Sequence, residues 1–235
     1  MKVAIHQPQY FPWPPYVHKV MSADIFVYLD SVQFSKNGVQ NRNQIKTAHG
    51  PLWLTIPVQN HLGQLLKDTR LADPRATRKH WKTIQTNYAR TAGLARWRDE
   101  LEQLLDRDSE FLEEPAIAST EWMLSKLNVR NTRVKASEMD GVSGEASKLI
   151  ASICGALGGT SYLTGTGALA YLDTKDFVDI GCEVMVQQWK PFTYNQAASG
   201  GFIPDLSTLD LLLNCPDQAA DLINDAGSWT ALENR

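Results

Sequence analysis

Two short apolar runs near the start of the chain, residues 2–5 and 25–29, constrain its fold more than any other feature. Both lack the polar/apolar alternation of a half-solvated strand, which is the pattern of strands buried on two faces. Between them lie a turn rich in Pro and aromatic residues, 7–15, and a helix-forming stretch, 16–22. Strand, loop, helix and strand in that order predict a βαβ unit, because a parallel pair needs a crossover across the sheet face. The loop after the first strand then lies at the carboxyl edge of the sheet, where open α/β folds bind ligands.

Residues 52–58 form a third strand candidate. Residues 75–90 read as an exposed basic helix with Trp81, Ile84 and Tyr88 at helical spacing. Residues 94–112 read as an amphipathic helix with Leu94, Trp97, Leu101, Leu104, Leu105 and Leu112 on one stripe. This period predicts Trp97, Leu101 and Leu105 in the core and Asp99, Glu102 and Asp106 in solvent. Further helices are expected over 117–127 and 142–157, and strands over 161–163 and 184–187. The apolar stretch 206–213 carries a cap at Asp205 or Ser207. The last ten residues read as loose. The predicted fold class is α/β: a Rossmann-like parallel sheet in the N-terminal part, with a largely helical middle segment at about residues 75–157. A single domain over 1–235 is expected, without a firm internal boundary.

The hydrophobic fraction of 43% supports a real core, and a net charge of −3 gives no overall pull toward nucleic acid or an anionic membrane. DNA is therefore not an expected partner. There is no apolar run long enough to insert in a membrane, and no basic segment followed by an apolar run opens the chain. Cys154, Cys182 and Cys215 are far apart and form no C-x-x-C pair, so buried free thiols in a reducing cytoplasm are expected.

Charge is distributed unevenly. In residues 1–50 five bases (Lys2, Lys19, Lys36, Arg42, Lys46) face two acids (Asp24, Asp30), a balance of +3 that leaves −6 for the rest of the −3 chain. A basic, amide-rich mouth on an acidic body suits an anionic small molecule such as a nucleotide phosphate. His6 ends the first strand, where it can bind phosphate, act as an acid or base, or simply cap the strand. His18, in the following helix, is the second catalytic candidate. Its twelve-residue separation from His6 is no helical metal pair, and no metal site is predicted. Asp30 ends the second strand and can hold a hydroxyl, an amine or Mg²⁺.

Gln7 and Gln33 follow the same two strands and join the binding candidates. Tyr10 and Trp13 are either a ring platform for a base or sugar or a plug in the core. Asn41, Arg42 and Asn43, with Lys46 nearby, surround one guanidinium with two amides, either to bind an anion or to tie a loop. Thr164, Gly165, Thr166 and Gly167 form a turn that can present backbone N–H groups to an anion. It lacks the lysine of a P-loop and the full G-x-G-x-x-G pattern. The layout predicts that His6, His18, Asp30, Gln33 and Arg42 line one pocket.

Residues 3–13 (VAIHQPQYFPW), 29–34 (LDSVQF), 41–45 (NRNQI), 162–168 (YLTGTGA), 171–173 (YLD) and 202–212 (FIPDLSTLDLL) resemble the signature segments of the WbqC-like family. The resemblance covers nearly the whole chain. It departs at Pro14-Pro15-Tyr16, where the family usually has a Gly, and at Cys215-Pro216. It implies a setting among proteins of bacterial O-antigen and lipopolysaccharide sugar assembly. The layout is also similar to pantothenate synthetases and the HxGH nucleotidylyltransferases. Gln33-Phe34 follows the second strand as in the former, and His18 stands for the second His of the latter, although no HxGH tetrad is present.

That second similarity implies ATP and Mg²⁺ for activating an acid that is passed to an amine. Together the resemblances imply a transferase or amide-forming ligase that attaches an N-acyl or aminoacyl group, for example glycine, to a nucleotide-linked amino sugar. The substrates would be that sugar and a small amino or hydroxy acid. His6 and His18 would stabilise phosphate charge, Arg42 and Lys46 would clamp the anion, and Gln33 would orient the acid. The alternatives are a transferase using a carrier- or tRNA-bound donor, and a non-catalytic sugar-nucleotide-binding or scaffold protein.

Overall fold

A computed structural model describes residues 1–36, 38–59 and 61–232. The chain opens with β1 (Lys2–His6), α1 (Pro14–Ser22) and β2 (Ile25–Tyr28). The two strands run parallel, with Val3 opposite Ile25 and His6 opposite Tyr28, as the apolar runs predict. Val3, Ala4 and Ile5 are buried on both sides of the sheet. Pro14 and Pro15 occupy the first turn of α1, where a missing N–H removes no helical hydrogen bond.

An antiparallel hairpin follows, β3 (Arg42–Thr47) and β4 (Gly50–Thr55). The strand expected over 52–58 is the second arm of this hairpin; it starts earlier and ends at Thr55. The first arm is polar at most positions, so it carries no apolar alternation to announce it. Three helices come next: α2 (Arg78–Tyr88), α3 (Ala92–Leu105) and α4 (Glu113–Lys126). The expected stripe is present on α3. Trp97, Leu101 and Leu105 are buried, while Asp99, Glu102 and Asp106 are exposed. The helix stops at Leu105, and the buried Leu112 belongs instead to the start of α4.

The remaining elements are β5 (Thr132–Lys135), α5 (Ala146–Ala156), β6 (Ser161–Thr164), α6 (Lys175–Val178), β7 (Glu183–Trp189), α7 (Thr208–Asn214), α8 (Ala219–Ala226) and β8 (Gly227–Ala231). Ser207 caps α7, its hydroxyl accepting from the Leu209 N–H at 3.1 Å. The sheet order is β5-β2-β1-β6-β7-β8, and only the β7–β8 pair is antiparallel. While residues 233–235 lie outside the described residues, the described part of the tail is therefore not loose as expected, since Gly227–Ala231 forms an edge strand. Its short, mixed sequence has no strand pattern. Tertiary contact fixes it: a side chain on Gly227 would come within 2.2 Å of the His18 ring, and Trp229 stacks on that ring at 5.5 Å.

Both sheet faces are covered. Ala4, Phe26, Tyr28 and Leu163 pack under α1 and the middle helices, while Val3, Ile5, Val27 and Tyr162 pack under α5 and Phe177 of α6. From β1 the chain builds outward to β2 and β5 on one side, then to β6 and β7 on the other. The order reverses between β1 and β6, the place where open α/β sheets leave a crevice. Among the described residues no helix is long and apolar enough to cross a membrane. All three cysteines are free, with Cys154 and Cys182 buried and Cys215 half-buried.

Candidate functional site

A cavity of about 300 Å³ opens at that reversal point. Its walls come from the ends of both central strands: Ile5, His6 and Gln7 from β1, and Tyr162 and Thr164 from β6. Gly165, Gly167 and Ala168, in the turn after β6, close one side, with Thr166 exposed between the two glycines. Lys19 of α1 and Tyr171 complete the polar part of the lining, and among the described residues no carboxylate lines the cavity. The size is that of a small-ligand site.

His6 is half-buried, with its ring edge-on to Tyr16 at 4.8 Å. Its Nδ1–H donates to the Gln7 carbonyl at 3.1 Å, so Nε2 is the acceptor nitrogen. Burial, and secondarily the Lys19 ammonium, lower its pKa to about 3 against the opposing pull of the Gln7 carbonyl. The imidazole is thus neutral at neutral pH. Lys19 is only 6% exposed. Among the described residues it has no carboxylate within 4 Å and no hydrogen-bond partner. Burial lowers its pKa to about 8.

The loop between β1 and α1 is held by side chains distant in sequence. Phe11 has φ 44°, a left-handed conformation that is costly for a bulky residue, about 1–3 kcal/mol. Its N–H donates to Ser119 Oγ at 2.9 Å, and its carbonyl accepts from Asn43 Nδ2 at 2.8 Å and Ser207 Oγ at 2.7 Å. One step earlier, the Tyr10 N–H donates to the Gln40 carbonyl at 3.1 Å, and Gln40 Nε2 donates to Gln7 Oε1 at 2.6 Å. Gln40, Ser119 and Ser207 therefore position the loop that carries His6 and Gln7. A sequence alone gives no signal for such long-range pairs.

The expected convergence of five residues on one pocket does not occur. Of His6, His18, Asp30, Gln33 and Arg42, only His6 lines the crevice. Successive helical side chains point about 100° apart, so Lys19 faces the crevice while its neighbour His18 faces β7 and β8. His18 Nδ1 accepts from Gln187 Nε2 at 2.8 Å, and the ring sits between Trp189 and Trp229. Burial lowers the His18 pKa, in keeping with a neutral packed ring.

Asp30 is fully buried, and its two oxygens accept from the Ser137 N–H (2.9 Å) and the Ser137 hydroxyl. It ties the end of β2 to the turn after β5, and an aspartate so engaged does not fit a Mg²⁺ ligand. Among the described residues no group of three or more His, Cys, Asp or Glu side chains is placed to hold a metal ion. Gln33 is exposed and bridges to Leu65.

The sequence model of the WbqC-like protein family matches residues 7–222. The chain belongs to this family. It is also similar to the uncharacterized protein Rv1507c of Mycobacterium tuberculosis (strain ATCC 25618 / H37Rv), at 28% identity over 225 residues, which cover 94% of this chain and 97% of that protein. No solved structure matches the chain.

In this WbqC-like chain the other sequence candidates are engaged elsewhere. The Tyr10 hydroxyl donates to His80 Nδ1 at 2.8 Å, and His80 Nε2–H donates to the Thr55 carbonyl at 3.2 Å. Tyr10 is fully buried, so the core-plug alternative describes it, whereas Trp13 is 38% exposed. Asn41 Nδ2 donates to the Ile56 carbonyl at 2.9 Å. The Arg42 guanidinium lies 4.5 Å over the Trp53 ring. Lys46 Nζ donates to the Gly201 carbonyl at 3.0 Å. The site residue that the sequence pattern does not single out is Lys19. Its signal is present in the basic balance of the first fifty residues, but not which of those cations faces the crevice.

Proposed function

We propose that this WbqC-like protein is an enzyme of bacterial surface-sugar assembly that places an N-acyl or aminoacyl group, such as glycine, on a nucleotide-linked amino sugar. The observation that carries this reading is the crevice at the sheet's reversal point, which gathers His6, Gln7, Thr164, Gly165 and Gly167 around about 300 Å³. Amide formation requires the sugar amine to attack the carbonyl carbon of an activated acid. The C–N bond forms, the bond to the leaving group breaks, and the amine loses a proton. His6 Nε2, the acceptor nitrogen of the ring, is the site assigned to that proton, although a pKa of about 3 makes it a weak base while the ring is buried beside the Lys19 ammonium. Gln7 and the glycine turn hold the polar substrate atoms.

ATP, with Mg²⁺, supplies the activation of the acid in this reading. Among the described residues the crevice offers a metal no carboxylate ligand. The chemistry assigned to the chain's own residues is therefore binding, orientation and proton transfer. His18, Asp30, Gln33, Arg42 and Lys46 lie outside the crevice lining and receive supporting roles only.

The test is to incubate the purified protein with ATP, Mg²⁺, glycine and a dTDP-amino sugar and to follow products by mass spectrometry. A glycylated sugar nucleotide with matching AMP or pyrophosphate release is the expected result. Turnover only with carrier- or tRNA-bound glycine would replace ATP activation with a preactivated donor. Tight sugar-nucleotide binding without turnover from any donor would overturn the enzyme reading.

A further inference from the structure

A lysine ammonium is rarely taken from water without a partner, because a lone buried charge is costly. Lys19 is such a group. Its side chain is nearly fully buried, yet among the described residues no acid lies within 4 Å and no acceptor binds it. It also lines the crevice, whose walls carry, among the described residues, no carboxylate to balance it. The turn after β6 lies beside its head group and leaves space there: a Cβ added at Gly165 would only reach ordinary contact with Lys19 Nζ, at 3.7 Å, and one added at Gly167 would meet nothing. Thr164, buried beside them, has its hydroxyl 3.5 Å from the Gly165 carbonyl and within reach of the Tyr162 hydroxyl. An uncompensated cation beside an open glycine turn is complementary to a small anion with several acceptor oxygens.

We propose that Lys19 and the Thr164–Gly167 turn form an oxyanion subsite, which takes a phosphate or carboxylate group of the substrate. The subsite deepens the reading of the crevice as a substrate site but does not depend on acyl transfer. It has a consequence for His6, whose proton affinity is held down partly by the Lys19 charge. A bound anion offsets that charge, so His6 becomes a better proton acceptor when the subsite is filled.

The test uses the full chain without sugar or acyl donor. Its outcome is thus separable from that of the transferase assay. Inorganic phosphate, pyrophosphate and acetate are titrated calorimetrically at constant ionic strength against a sodium chloride control, with the wild type, Lys19→Met and Lys19→Arg. Phosphate or pyrophosphate binding identifies the phosphate source, and binding of acetate alone identifies the carboxylate source. In either case Lys19→Met should weaken the anion about 10- to 100-fold, and Lys19→Arg should retain part of the affinity.

Two further readouts keep the proposal open to refutation whatever the anion affinity. Without added anion, Lys19→Met should melt at or above the wild-type temperature, since it removes a buried unpaired charge and keeps an unbranched side chain. In NMR titrations His6 should gain proton affinity both in Lys19→Met and in the anion-loaded wild type. No anion binding above the chloride control, equal binding by Lys19→Met, or a clear loss of melting temperature in Lys19→Met would each overturn the subsite.

Discussion

The crevice between β1 and β6 and the flank formed by the β3–β4 hairpin are both rich in buried polar groups, but they treat them in opposite ways. On the hairpin flank the buried side chains are tied into the fold, although single atoms such as Gln40 Oε1 and Asn41 Oδ1 have no partner among the described residues. Asn41, Asn43 and Lys46 each donate to a backbone carbonyl, and Asp210 of α7 accepts from the hydroxyls of Tyr88 and Tyr194. In the crevice, among the described residues, Lys19 has no hydrogen-bond or carboxylate partner and His6 satisfies only one ring nitrogen. Side chains tied to distant backbone groups hold a fold together, whereas a cation on a cavity wall that no acid balances has capacity left for a ligand. The basic, amide-rich opening of the sequence is thus split between scaffold and site.

The sharpest way to break this contrast is His6→Ala. Turnover should fall about 10²–10⁴-fold, while unfolding free energy should change by only about 1 kcal/mol. Steady-state rates and urea unfolding on one preparation compare the two. Normal activity in the folded fraction of a clearly destabilised variant would move His6 to the scaffold side.

Acid should act on the scaffold next most strongly. Burial holds the folded pKa of His80 at about 4, against the ordinary value of 6.5. Above pH 6.5 the ring is neutral in both states and its full contribution is present. As pH falls from 6.5 toward 4 the unfolded chain takes up a proton that the folded chain refuses, so stability declines, by roughly 3 kcal/mol from this residue. Unfolding curves across that window should be less steep in pH for His80→Gln than for the wild type. Identical slopes would show that His80 does not titrate as its burial requires.

Asn43→Ala removes the donor to the Phe11 carbonyl and the acceptor of the Gln44 N–H. A loss of about 1–3 kcal/mol is expected in urea, without a change in phosphate affinity per folded molecule. A large change in that affinity with little loss of stability would place Asn43 with the ligand. The smallest effect on anion binding is expected from Arg42→Ala, since Arg42 lies outside the crevice lining. The guanidinium covers an indole ring that is itself 43% exposed, and such contacts are worth about 0.5–1 kcal/mol. Anion binding should stay at wild-type strength, and a drop of tenfold or more would return Arg42 to the site.

Several elements are legible in the amino-acid sequence alone. The runs at 2–5 and 25–29 predict the parallel β1–β2 pair because strands buried on both faces must be apolar throughout. The spacing of Trp97, Leu101 and Leu105 predicts the buried face of α3, and Ser207 predicts the start of α7, because helical period and capping are local properties. His6, Gln7 and the Thr164–Gly167 turn are also legible, since both follow central strands and so reach the carboxyl edge of the sheet.

Other outcomes are decided only by tertiary structure. Whether His18 or Lys19 faces the crevice depends on the rotation of α1, which is set by the packing of Tyr16, Val17 and Val20 in the core. Whether Asp30 is a ligand or a tie depends on Ser137, more than a hundred residues away. The strands β3 and β8 have too little apolar pattern to be seen alone. Their stability comes from a paired strand and, for β8, from the His18–Trp229 stack. Sequence determines which groups can bind or catalyse, but only the packed chain decides which remain unsatisfied, because satisfaction depends on partners brought in from distant positions.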